Sequence, residues 1–409
     1  MNGLPPAVTA LLDAPGRDRS PGAAECVGLA PDDSPELRAA LEQCAARIVE
    51  LERRGVWHGE WAEFNARGPR PAPGALRAAW RARFAAARPI VLPGLVDPGP
   101  AAALLAERDS LGERLWDPSG LPSFLAAAKA ELAEGGFSVQ SAPPRELRDE
   151  RDLARVELAL SETACDDLWV KSSRLSTFAG DRSVRLRLSF GREVLDDASR
   201  DVARHRAVSA LAERLLPECR LAHGHPALRG LLDEWVGAPT FLTQHIAYWN
   251  APGGGALFHH DAFDEPLVGG QRGVCYLQLT GVSAWLALSL TDLAAHVRGF
   301  MQDLAAGEAP WVRAALFPSA AAFERAERLA RDPRRLRAEL ARPGCGAFAG
   351  LVNRGPEFTA ALVDAGHAWL LDPGDVIVLP NHGLGETCMH SVFCASDEAG
   401  YALSMALRA

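Results

Sequence analysis

The chain has 409 residues and a formal net charge of −9. That length is ample for a large core, as one elaborated domain or two smaller ones. The acidic balance argues against a nucleic-acid protein, because phosphate binding relies on concentrated positive charge. Eight cysteines lie scattered, with no CxxC pair to suggest a structural zinc or a dithiol redox site, and they fit a reducing cytoplasm. Met1 to Ser20 lacks a basic stretch followed by an apolar one, and no apolar run is long enough to span a bilayer; the expectation is a soluble, cytoplasmic protein. Lys129 and Lys171 are the only lysines, so an anion anchor inside a site must be arginine or a neutral donor.

Residues 1–33 are rich in Pro, Gly and Asp without sustained periodicity, and are expected to form a loose leader. From Ser34 the spacing predicts a helix, with Ser34 as cap, Pro35 first, a stripe of Leu37, Leu41, Cys44, Ile48 and Leu51, and Gly55 at the stop. A second helix carries Leu76, Trp80 and Phe84. Ile90 to Gly94 reads as a strand and turn, followed by helices around 101–108 and 124–134. Residues 34–180 are thus expected to be a helix-rich region packing on the remainder of the chain. Ser183 to Phe190 alternates cleanly, with Val184, Leu186, Leu188 and Phe190 on one face and Arg185, Arg187 and Ser189 on the other. Helices at 202–216 and 227–235 precede strands at Phe241 to Trp249, at the His259/Asp261 segment, at Val274 to Leu279 and at Ser283 to Leu290. Residues 291–345 then turn helical, with Leu293, Val297, Phe300, Met301 and Leu304 at helical spacing. Strands resume at His367 to Leu371 and Val376 to Leu379, joined by a Pro373-Gly374 type II turn, and close with Glu386 to Ser396 and Tyr401 to Leu407.

Short strands joined by tight turns, preceded by helices and interrupted by one helical insertion, predict an α+β fold. The expected form is a double-stranded β-helix (a jelly-roll or cupin-like barrel) over 181–409, wrapped by the N-terminal helices. The insertion is expected to act as a lid or pocket wall, or else as a packing or dimerisation element.

Within this frame, Phe258-His259-His260-Asp261 offers a histidine and a carboxylate two residues apart. On a strand these share a face, so His259 and Asp261 can grip one ion while His260 points away. A third ligand must come from another strand. His390 suits that role, with His382 as its rival. Two imidazoles and a carboxylate make the facial triad that holds non-haem Fe(II) and leaves positions open. His245, Tyr248, Asp264 and Glu265 are candidates to line the site or its rim; Trp285 and the other tryptophans are expected to be packing.

These motifs resemble the JmjC and cupin-like Fe(II)/2-oxoglutarate oxygenases. The likeness lies in Tyr248 to Leu290, with its Pro252-Gly253-Gly254-Gly255 turn and His259-His260-Asp261, and in Asp372 to Leu407, with Pro373-Gly374-Asp375 and His390, about a fifth of the chain. The resemblance implies that His259, Asp261 and His390 hold iron, that 2-oxoglutarate chelates it, and that a substrate C–H bond is hydroxylated. JmjC members commonly set a lysine against the far carboxylate of 2-oxoglutarate; the corresponding position here is Thr280, which cannot neutralise that charge. The candidates to supply what it lacks are Arg187 first, then Arg185 and Arg408, with Ser404 adding a hydroxyl.

The leading expectation is a hydroxylase acting on an amino-acid-like small molecule, a natural-product intermediate or a protein side chain, with O₂ as co-substrate. It needs neither nucleic acid nor membrane, and homodimerisation is left open. The alternatives are a metal oxygenase of cupin type that uses no 2-oxoglutarate, and a cupin-like binding module without catalysis. Halogenation fits less well, because related halogenases give up the carboxylate that Asp261 supplies.

Overall fold

A computed structural model describes residues 45–53, 56–65, 73–140, 151–161, 165–191, 199–263, 270–307 and 310–409; the leader, Ser34 to Leu41, and Asp264 and Glu265 lie outside the described residues. The described chain opens with an antiparallel pair, β1 (Ala45–Arg53) and β2 (Val56–Asn65), running from Ala45 opposite Asn65 to Arg53 opposite Val56 with a register shift between Glu50 and Glu52. The helix expected to run to Gly55 is therefore corrected. Its apolar spacing is local information, and pairing with a segment beyond Gly55 overrides it. Helix α1 (Pro73–Ala85) and strand β3 (Ile90–Leu92) come next, then α2 (Ala102–Arg114), α3 (Gly120–Ala127) and α4 (Lys129–Glu134).

Strands β4 (Phe137–Gln140), β5 (Asp152–Leu160), β6 (Cys165–Arg174) and β7 (Val184–Phe190) form an antiparallel run of which only β7 is evident in the sequence. Helix α5 (Val202–Leu215) is capped by Asp201, whose carboxylate accepts from the Ala203 and Arg204 amides. A 3₁₀ turn (Pro217–Cys219), α6 (Arg220–His223) and α7 (Pro226–Val236) complete this layer; Pro226 opens α7 and Gly237, at φ 75°, ends it.

The next four strands are β8 (Phe241–Asn250), β9 (Gly255–His259), β10 (Gln271–Gln278) and β11 (Ser283–Ser289). Ser289 both ends β11 and caps α8 (Leu290–Ala305), accepting from the Asp292 amide. Helices α9 (Pro310–Leu316), α10 (Ala320–Ala330), α11 (Pro333–Leu340), α12 (Ala349–Arg354) and α13 (Pro356–Asp364) lie between β11 and β12 (Ala368–Leu371). Strands β13 (Val376–Pro380), β14 (Cys388–Cys394) and β15 (Gly400–Arg408) finish the chain.

Besides the β1–β2 pair, the described strands form two antiparallel sheets. The larger has the order β3-β13-β10-β15-β8-β7-β6-β5-β4 and the smaller β12-β11-β14-β9. Alternation along each strand divides the apolar side chains among three cores. Leu186, Leu188, Ala247, Cys275, Leu403 and Met405 pack outward against the helices that precede β8. Tyr276, Trp285, Trp369, Ile377 and Val392 fill the space between the sheets. Phe258, Leu286, Leu288, Met389 and Phe393 face the helices inserted between β11 and β12, meeting Leu293, Val297 and Met301 of α8 among others.

That inserted layer holds β9 in place. The Phe258 amide donates to Asn353 Oδ1 (2.8 Å), and His260 Nε2 donates to the Ala341 carbonyl (2.9 Å), its Nδ1 accepting from the Ala262 amide (3.1 Å). On its other side β9 runs so close to β14 that a Cβ on Gly255 would meet the Val392 carbonyl oxygen at 2.0 Å. Gly255→Ala is expected to cost about 1–3 kcal/mol through the forced backbone shift, read by chemical denaturation. Gly385→Ala, where an added Cβ meets nothing within 4 Å, serves as control; equal stability of the two variants would refute this packing.

Candidate metal centre

Pairing of β9 with β14 sets His259 directly opposite His390. Their ring centroids lie 4.2 Å apart, and the chain two residues beyond His259 brings the Asp261 carboxylate to both rings. His259 Nε2 is 3.9 Å from Asp261 Oδ1, and His390 Nε2 is 3.5 Å from Asp261 Oδ2. The three donor atoms form one group lying within 4.8 Å of one another.

Each imidazole is oriented by its own strand. His259 Nδ1 donates to the Leu257 carbonyl (2.7 Å), and His390 Nδ1 points at the Cys388 carbonyl (3.5 Å), so both rings present Nε2 to the carboxylate. An Nδ1 tied to a carbonyl fixes the tautomer with a lone pair on Nε2, the usual outer support of a ligating histidine. Asn381 adds a bond from Nδ2 to the Asp261 carbonyl oxygen (3.3 Å), steadying the residue just past the strand.

The charges suit a cation. Burial and the neighbouring His259 push the His390 pKa down from 6.5 to about 3, so its ring is neutral near neutral pH. Burial alone would raise the Asp261 carboxyl, but positive charge around it, Arg187 included, holds the group below its ordinary value. Trp285 of β11 stacks on His390, with centroids 5.7 Å apart and planes 27° apart. The indole is fixed in turn: its Nε1 donates to Ser283 Oγ (2.9 Å), which donates to Gln278 Oε1 (2.8 Å), which also accepts from the Tyr276 hydroxyl (3.1 Å). Trp285, expected to be plain packing, thus braces the distal histidine. The alternation of β11 could have shown it, since Trp285 shares the inward parity of Ala287, the residue paired with His390.

The remaining sequence candidates separate. Arg187 lies on the face of β7 opposite its helix-packed residues, close enough to Asp261 to lower its pKa and to Tyr248 to affect the phenol. Arg185 shares that face, donating from Nε to Ser173 Oγ (2.8 Å). Ser404 is half-buried and paired with Tyr276 and Ile246.

The Thr280 hydroxyl is already engaged. Strand β10 ends at Gln278, so Thr280 falls in the turn beyond it, where its hydroxyl accepts from the Tyr401 amide (3.1 Å); it lines a separate cavity of about 940 Å³ with Asp109, Trp116 and Glu398. Arg408 is fully buried, but its terminal nitrogens donate to the Ser199 carbonyl (2.8 Å) and Gln244 Oε1 (2.8 Å), which removes it as a ready anchor. His382 donates from Nε2 to the Phe84 carbonyl (2.6 Å) and packs on the Phe84 ring, so the rival ligand is elsewhere. His245 faces the helical layer and not the triad.

No family model matches the chain, and no curated protein matches it. Solved structures that are similar include SnoN, described as a non-haem alpha-ketoglutarate-dependent epimerase from nogalamycin biosynthesis, at 13% identity over 82% of this chain and 83% of that one, with a TM-score of 0.32. YcfD, a ribosomal oxygenase from Escherichia coli, is similar at 14% identity over 55% of this chain and 31% of that one, with a TM-score of 0.20. A YcfD complex with cobalt and succinic acid gives 14% identity over 69% and 51%, again with a TM-score of 0.20. The chain therefore spans about half or less of the YcfD chains it matches. Likeness at this level leaves the chemistry to be read from the site.

The neutral buried histidines predict an acid-labile fold. His390 and His367 are lowered to about 3 and His205 to about 4, each chiefly by burial. Below pH 6.5 the unfolded chain takes up protons these rings refuse, so stability is lost progressively as pH falls from there toward the folded values. Chelator-treated protein is expected to melt at lower temperature at about pH 5 than at about pH 7, with a shallower slope in His367→Gln. A slope unchanged in that variant would contradict the assignment.

Proposed function

We propose that the chain is a non-haem Fe(II), 2-oxoglutarate-dependent oxygenase that hydroxylates a C–H bond of an amino-acid-like small molecule, a natural-product intermediate or a protein side chain. The observation that carries this reading is the convergence of His259 Nε2, Asp261 and His390 Nε2 on one point, with both rings already oriented to ligate. The strand orders support it. The stretches β13-β10-β15-β8 and β12-β11-β14-β9, with the chain passing repeatedly from one sheet to the other, fit a double-stranded β-helix. In that reading 181–409 is the catalytic core, and the helices between β11 and β12 are its insertion.

The donor set fits the metal. Two neutral imidazoles and one carboxylate suit Fe(II) while leaving part of its coordination sphere open. Bound there with 2-oxoglutarate and O₂, iron supplies the oxidising chemistry of C–H hydroxylation, coupled to formation of succinate and CO₂. The protein's share is positioning. His259 and His390 hold their lone pairs on the site, Asp261 supplies one negative charge, and Trp285 keeps the distal ring from turning.

Arg187 is the residue proposed to meet the far carboxylate of 2-oxoglutarate, since a planar guanidinium binds a carboxylate by two parallel bonds. Ser404 is proposed to add a hydroxyl from β15. A second reading, an oxygenase in which the substrate itself chelates iron, is favoured by one observation: β10 turns Val274, Tyr276 and Gln278 inward, and none is a cation.

Anaerobic titration with Fe(II) and 2-oxoglutarate, followed by O₂ and succinate measurement, tests these readings. Wild type is expected to bind both and form succinate, and His390→Ala to form none. Arg187→Ala is expected to raise the 2-oxoglutarate concentration for half-saturation about 10–100-fold, the worth of a charge-assisted bond. Iron binding without succinate selects the second reading, and no iron in wild type refutes both.

A further inference from the structure

A second group of metal-ligating side chains lies on the other side of β8, in the layer of helices. Cys219 ends the 3₁₀ turn, His223 ends α6, and His245 sits on β8. His223 Nε2 and His245 Nε2 face each other at 2.7 Å, and one donor atom from each of the three residues lies within 4.8 Å of the others. Cys219 and His245 are completely buried, and His223 keeps 13% of its side chain accessible.

Three features go beyond two histidines sharing a proton. Glu213 Oε1 accepts from His223 Nδ1 at 2.9 Å, the carboxylate–histidine support that fixes a ligating Nε2. His245 Nδ1 is buried with no hydrogen-bond partner, an uncompensated polar atom beneath the helices. Gln244, the residue before His245, has φ 48°, a left-handed backbone that a non-glycine residue rarely adopts. It falls in a bulge of β8 between the Thr243–Ala406 and Ile246–Ser404 pairs, and bulges commonly re-aim a neighbouring side chain.

We propose that Cys219, His223 and His245 form a second metal site, of one thiolate and two imidazole ligands, that takes zinc or a similar borderline divalent cation and pins the Pro217–His223 segment to the back of β8. Softness selects the metal: a sulfur and two nitrogens favour zinc over the hard cations that prefer oxygen. Size fits with little movement. Tetrahedral zinc at about 2.0–2.1 Å from each nitrogen needs the Nε2 atoms about 3.3 Å apart, so the rings must separate by about 0.6 Å. Water completes the coordination from the accessible side of His223. On binding, the Cys219 thiol gives up its proton to solvent and the His245 proton passes to Nδ1, so one proton is released per metal. The site is independent of the iron reading, because its ligands and its proposed role are separate from the triad.

Cobalt(II) tests it, because a cobalt–thiolate charge-transfer band in the near ultraviolet requires sulfur and the triad has none. Titration of a His259→Ala/His390→Ala double variant is expected to produce the band with one equivalent of cobalt, to lose it in an added Cys219→Ser change, and to weaken it in His223→Gln. Wild type gives the same readout should the double variant fold poorly. Absence of the band in wild type, or its persistence unchanged after Cys219→Ser, would overturn the proposal.

Discussion

The antiparallel contact between β9 and β14 is the constraint on which the rest of the site depends. Because His259 and His390 are directly opposed across it, two imidazoles remote along the chain meet without any loop having to carry either one. Each ring's Nδ1 faces a carbonyl of its own strand, so the orientation of the donors is a property of the sheet. Asp261 is the only member of the group beyond a strand end, and the Asn381 bond to its backbone compensates for that freedom. Sites built on regular elements hold their geometry more tightly than sites built on loops.

The layers on either side reinforce this contact. The inserted helices bond to the backbone of Phe258 and the ring of His260, fixing the strand that carries His259 from the side away from the site. From the interior, the chain of Tyr276, Gln278, Ser283 and Trp285 ends in an indole laid on His390. Burial keeps His390 neutral, and the surrounding side chains keep Asp261 ionised, which is the charge state a divalent cation requires. The same burial has a cost, since each neutral histidine becomes a liability in acid.

Much of the core was legible because its signals are local. The Val184–Phe190 alternation and the Phe241–Asn250, Ser283–Ser289 and Val376–Pro380 strands fall within a few residues of their sequence reading, and Gly374 has the positive φ (93°) that its turn requires. The histidine and carboxylate at positions 259 and 261 were visible for the same reason. Non-local pairing was not. The segment Ala45–Arg53 carries helical spacing and is nonetheless a strand, and β4 to β6 left no clean alternation; β5 reads buried at Ala154, Leu158 and Leu160 only. Thr280 lies in the turn after β10, as the strand bounds in the sequence imply, and only the structure shows its hydroxyl engaged by the Tyr401 amide. Nothing in the sequence marks Ser199 and Gln244 as the partners that occupy Arg408. The Cys219, His223 and His245 group has no fixed sequence spacing, since a helix end and a bulged strand bring it together.

The most direct test of the central claim is an anaerobic crystal structure of the protein soaked with Mn(II), with the metal located by its anomalous scattering. A single strong peak bonded to His259 Nε2, the Asp261 carboxylate and His390 Nε2, with remaining positions filled by water, is the predicted result. Manganese bound elsewhere, or these two rings turned apart with no peak between them, would contradict it.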